Sequence, residues 1–110
     1  MKIPTNQPPI HPGEILLEEF MKPYGITQAE LSRRIDISRN QINAVIHGKK
    51  AMSADMALCL SQLFGTSPEL WLNGQMQWDI WHSLHELARK LEKIEPVAAS
   101  TFLTPTHTPA

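Results

Sequence analysis

Between Ser38 and Gly48 the chain carries Arg39, Asn40, Gln41 and Asn43, interleaved with Ile42, Val45 and Ile46. The polar members are the side chains that read base edges. An Arg guanidinium can donate two hydrogen bonds to guanine O6 and N7, and an Asn or Gln amide can pair with adenine N6 and N7. At helical spacing the three apolar residues share one face, which leaves Arg39, Asn40, Gln41, Asn43 and Ala44 toward the other. Gln28, Arg34, Ser38, Lys49 and Lys50 flank this segment and are the expected phosphate contacts, the helix N-terminus after Ser38 adding free N–H groups. Taken alone, a row of Arg, Asn and Gln is as often a solvated helix face as a reading surface. Its surroundings decide.

Those surroundings are a run of helix signals. Pro12 suits a first helical position, Ile15, Leu16, Phe20 and Met21 follow at helical spacing, and Pro23-Tyr24-Gly25 is expected to end that helix. Thr27 is an N-cap with Glu30 three residues on, the pattern of a capping box. A short helix to Arg34 follows, then the linker Ile35-Asp36-Ile37, then Ser38 as the next cap and Gly48 as the stop. Two short helices with so brief a turn between them make a helix-turn-helix from Thr27 to Gly48. In it Ala29 is expected where the two helices cross closely, and Ile37 is expected to plug the turn. Ser53 caps a fourth helix bearing Met56, Leu60, Leu63 and Phe64. Ser67-Pro68-Glu69 opens a fifth, along which Leu72, Met76, Ile80, Leu84, Leu87, Leu91 and Ile94 form a stripe. It is read as one long helix or two joined near Gly74, ended by Pro96. No strand pattern and no repeat is visible. The chain is read as all-α, with residues 1–11 an N-terminal arm, 12–95 one domain and 96–110 a flexible tail.

The 110 residues suffice for one modest core. The net charge of −1 is not that of an obvious nucleic-acid binder. Its distribution matters more: between Ile26 and Met52 stand Arg33, Arg34, Arg39, Lys49 and Lys50 against only Glu30 and Asp36. A single cysteine, Cys59, excludes an internal disulfide framework and reads as an ordinary core residue. With no apolar h-region in Met1 to Ile10 and no apolar run long enough for a membrane span, the expected compartment is the cytoplasm. No nucleophile–base group and no glycine-rich phosphate loop stands out, so no enzyme and no cofactor is expected. His82 and His85 lie three apart but lack carboxylate or thiolate companions, and His11 and His47 are equally weak as ligands, so no metal is expected. Trp71 is expected to close the core over the fourth helix. Trp78 and Trp81, with Leu84 of the neighbouring stripe, are read as a subunit interface, because this small domain has little left to cover them.

From His11 to Trp81 the chain resembles HigA-type (VapI-like) antitoxins of the phage-repressor-like helix-turn-helix class. The matching segments are His11-Pro12-Gly13-Glu14-Ile15-Leu16, Thr27-Gln28-Ala29-Glu30-Leu31-Ser32, Ile46-His47-Gly48-Lys49-Lys50 and Gly65-Thr66-Ser67-Pro68-Glu69-Leu70-Trp71-Leu72-Asn73. The first and last are the specific ones, since the helix-turn-helix is shared by many regulators. The resemblance implies a five-helix, phage-repressor-like domain but is not carried beyond Trp81, so the extended C-terminal helix rests on its apolar stripe and the tail on its composition. It further implies a homodimer that represses its own operon from a pseudo-palindromic operator and neutralises a HigB-type, mRNA-cleaving toxin of RelE-like fold. By position it favours Arg39, Asn40, Gln41 and Asn43 for bases, and Gln28 and Lys49 for the DNA backbone. The Met1-to-His11 arm, the acidic Glu14-Glu18-Glu19 face and the last helix are alternative toxin contacts, among which the sequence does not choose. A stand-alone regulator without a toxin, or an interaction adaptor that has lost DNA binding, are the rival readings, and the basic patch weighs against the second.

Overall fold

The computed structural model describes residues 7–97 and contains five helices and no strand among them. The first, α1, runs unbroken through an α-helical stretch Pro12–Ile15, a π-helical stretch Leu16–Met21 and a closing turn Lys22–Tyr24. It therefore passes Pro23 before ending at Gly25, whose φ of 67° only glycine adopts without strain. The wide turn gives the Pro23 ring room where an α turn would press it against the carbonyl of Glu19.

Helix α2 (Gln28–Ile35) starts on Thr27, whose Oγ1 accepts from the Glu30 amide at 3.1 Å. The capping box is only half formed, because the Glu30 carboxylate faces forward to Arg34 at 3.5 Å. Asp36 turns the chain in the left-handed region (φ 56°), and Ser38 caps α3 (Arg39–Ile46) by accepting from the Gln41 amide at 3.1 Å. Ala29 does not lie where the two helices pack. It is exposed, whereas Ser32 is half-buried and donates its hydroxyl proton to the Ile37 carbonyl at 2.6 Å. A helix of this length shows only one face to its neighbour, and Ser32 follows Leu31 onto it while Ala29 does not. Ile37 packs against the core beneath that bond.

Ser53 caps α4 (Ala54–Phe64), and Gly65 ends it at φ 74°. Ser67 caps α5 (Pro68–Lys93), one uninterrupted helix through Gly74, roughly 39 Å long at helical rise. The core joins Leu16 and Met21 of α1, Leu31 and Ile35 of α2, Ile42, Val45 and Ile46 of α3, Met56, Ala57 and Leu60 of α4, and Trp71 of α5. Trp71 is fully buried against Phe20, and its Nε1–H reaches the Thr66 hydroxyl at 2.8 Å. Its apolar area closes the core while its one donor is satisfied.

The His11-Pro12-Gly13 segment explains itself physically. His11 is the N-cap of α1, its Nδ1 accepting from the Gly13 amide at 2.9 Å, so it belongs to the packed domain and not to the arm. Pro12 is fully buried at the first helical position and lies over Gly74 of α5. Gly13 has no room for a side chain: a Cβ there would strike the Val45 carbonyl and lie 2.8 Å from the Ile46 Cα. Residues 1–6 and 98–110, with most of the expected arm and tail, lie outside the described residues.

The His11 cap requires a neutral ring with its proton on Nε2. Burial holds the imidazole below its ordinary 6.5, with the Asp79 carboxylate acting the other way. The unfolded chain thus takes up a proton that the folded one resists. His11's contribution is fully present above the unfolded value and is lost as pH falls through the folded one. Thermal melts from about pH 7.5 down to about pH 5 are therefore expected to show a falling Tm that His11→Asn, a non-titrating cap, makes shallower. An equal decline in both proteins would assign the acid sensitivity to other groups.

Candidate nucleic-acid interface

Two elements meet to build the surface, the exposed side of α3 and the N-terminus of α2. Ile42, Val45 and Ile46 are buried, which fixes the rotation of α3 about its axis. Arg39, Asn40, Gln41 and Asn43 are consequently all exposed. With its side chains a helix is roughly 10–12 Å across, which fits the major groove of about 12 Å. Gln28 joins them: its Oε1 accepts from Asn43 Nδ2 at 3.3 Å, across fifteen positions of sequence. This bond leaves the Gln28 amide NH₂ free for a phosphate oxygen and orients Asn43, whose carbonyl oxygen remains free for a base.

Ser38 sits at the mouth of this surface, its oxygen engaged by the Gln41 amide and its hydroxyl proton free to donate. Beyond α3, Gly48 turns the chain at φ 72°, and the amides of Lys49 and Lys50 both bond back to the Ala44 carbonyl, at 2.8 and 3.2 Å. Both lysine side chains are exposed at the end of α3. His47 caps that end, its Nδ1 lying 2.9 Å from the Asn43 carbonyl, as a residue beside the negative end of a helix dipole should.

Arg34 is not brought to this surface. It stands in the last turn of α2, on the side facing α4, where it lines a groove with Tyr24, Ile26, Leu63 and Phe64 and pairs with Glu30. Position in the sequence put it in the basic run, but the roughly one and two-thirds helical turns between it and Gln28 carry it to another side.

The proposed subunit face lies on α5. Trp78 is half-buried, its ring edge-on to His11 of its own chain at a centroid separation of 5.0 Å. Trp81 stacks on His85 at 3.9 Å. Beyond them Leu84, Leu87, Leu91 and Ile94 are 40, 41, 42 and 58% exposed. With Asp79, Ile80 and Ser83 the leucines line an open groove. Glu14, Glu18 and Glu19 are all exposed on α1, and Glu18 pairs with Lys22 at 2.9 Å.

The arrangement is that of a helix-turn-helix whose second helix presents its polar face. A helix-turn-helix family profile matches residues 17–71. The chain belongs to this family of DNA-binding regulators. Among its relatives, virulence-associated protein I of Dichelobacter nodosus is 39% identical over 83 residues, covering 73% of this chain and 77% of that protein. Antitoxin HigA-1 of Vibrio cholerae is 31% identical over 96 residues, covering 87% of this chain and 90% of that one. Among solved structures, the Pseudomonas aeruginosa antitoxin HigA with the higBA promoter superposes with a TM-score of 0.76 at 34% identity, over 81% of this chain and 98% of that chain. The five-helix, all-α architecture expected from the sequence is therefore that of HigA antitoxins, long last helix included.

Two residues of the surroundings carried no sequence signal. Ser32 has the composition of any polar helix residue until Ile37 folds over it. Gln75, in the middle of an amphipathic helix, reads as solvated yet is buried.

Proposed function

We propose that the chain is a dimeric antitoxin that binds a pseudo-palindromic operator, represses its own operon and neutralises a HigB-type, mRNA-cleaving toxin of RelE-like fold. The observation that carries DNA reading is the exposed row Arg39, Asn40, Gln41 and Asn43 on a helix locked by three buried residues. Gln28, Ser38, Lys49 and Lys50 surround it as phosphate contacts, a role that Arg34's placement does not support. The antitoxin assignment rests on the kinship with HigA proteins, one of them solved with its promoter.

Two copies meet through α5, with Trp78, Trp81 and Leu84 at the joint, and set two recognition helices about 34–36 Å apart on one face of the duplex. The domain comprises residues 11–95, since His11 caps its first helix, with 1–10 an arm and 96–110 a tail. The protein works in the cytoplasm and has no catalytic activity of its own.

A gel-shift titration against the DNA upstream of its own gene, with scrambled competitor, tests the repressor. Competitor-resistant binding is expected, and equal affinity for scrambled DNA at low salt would refute it. Co-expression with a small, basic neighbouring reading frame tests the antitoxin. A stable complex that relieves growth arrest is expected; specific DNA binding without any such partner would leave a stand-alone regulator.

A further inference from the structure

We infer that Gln75 is a positioning residue for DNA: from inside α5 it holds the loop that presents Lys49 and Lys50. This rests on the reading of those lysines as phosphate contacts. Gln75 is 7% exposed. Its Oε1 accepts from the Met52 amide at 2.8 Å, and its Nε2 donates to Asp79 Oδ1 at 3.0 Å, one helical turn on.

Apart from the burial of Met52 in the core, the loop between α3 and α4 is otherwise hydrogen-bonded only near its ends. At the front, the amides of Gly48, Lys49 and Lys50 bond to the last turn of α3. At the back, Ser53 caps α4. Among the described residues, the Gln75 bond is the only hydrogen bond that ties the loop to α5. It falls two residues after Lys50 and fixes the direction in which the chain leaves the lysines. A buried amide that satisfies one backbone donor, and is itself oriented by a carboxylate, can hold a single loop conformation where apolar packing of Met52 alone would allow several. Because α5 is also the proposed subunit helix, the bond relates the lysines to the frame that sets the spacing of the two half-sites.

The test uses the full-length protein and its own upstream DNA, with affinity measured by fluorescence anisotropy over a series of salt concentrations. Lys49→Ala with Lys50→Ala removes four phosphate contacts per dimer. The slope of log affinity against log salt is expected to flatten by roughly 3–4. Gln75→Leu leaves both lysines in place, yet is expected to flatten the slope by about 2 and weaken binding about tenfold. Added to the double lysine variant it should cost little more, since both changes act on the same contacts.

A merely structural Gln75 would lower Tm and the active fraction while leaving the slope unchanged, and that result overturns the inference. Should Gln75→Leu fail to fold, Asp79→Ala, at an exposed position, decides. It frees the Gln75 amide to rotate and is expected to flatten the slope in the same direction by a smaller amount; an unchanged slope refutes the inference. An unchanged slope in the double lysine variant would instead refute the phosphate reading on which it rests.

Discussion

Gly13→Ala is expected to destabilise the protein by on the order of 3 kcal/mol, the upper part of the usual range for overpacking. In a domain of this size that lowers Tm by roughly 10–20 °C. The sign is informative because local propensity predicts the reverse: alanine in place of glycine in a helix normally gains about 1 kcal/mol. Here the added methyl would strike the Val45 carbonyl and crowd the Ile46 Cα, and both belong to the last turn of α3. Backbone cannot rotate away as a flexible side chain would, so α1 and the recognition helix must separate. Operator affinity should fall with stability. Gly74→Ala is the control. Its Cβ would meet Pro12 at 3.7 Å, an ordinary contact, and it lies within α5. A gain of about 0.5–1 kcal/mol is expected there. Thermal melts of the two variants settle both signs, and a stabilised Gly13→Ala would show that α1 does not seat on α3 in this way.

Arg39→Ala is expected to weaken operator binding by ~1–3 kcal/mol in each half-site, and so by about twice that for a symmetric dimer. Non-specific binding should change little, because α3 remains capped by Ser38 and anchored by Ile42, Val45 and Ile46. Parallel titrations on operator and on scrambled DNA measure the difference. Equal losses on both would place Arg39 on the phosphate backbone and shift the reading role to Asn40, Gln41 and Asn43.

The helices were legible because their signals are local. Thr27, Ser38, Ser53 and Ser67 each cap the helix they precede, and all four accept from the amide three residues on. Gly25, Gly48 and Gly65 each take the positive φ that stops one. The passage of α1 through Pro23 was not legible, because a π turn has no composition of its own. The rotation of α3, and with it the exposed polar face, followed from the spacing of Ile42, Val45 and Ile46. Arg34 went astray for the converse reason. A charge run says which residues are near in sequence, but α2 turns through 3.6 residues, so neighbours in the run diverge in space.

The sequence by itself thus determined the five helices, the exposed polar face of α3 and the kinship with HigA antitoxins, since caps, apolar periods and short motifs act over a few residues. Only the tertiary structure decided the rest. It placed Gly13 beneath Val45, joined Gln28 to Asn43, buried Gln75 against Met52 and set His11 against Trp78. Each of these contacts spans fifteen or more residues of chain and depends on how whole helices dock. Docking is fixed by the summed packing of the core, and no single position in the sequence announces it.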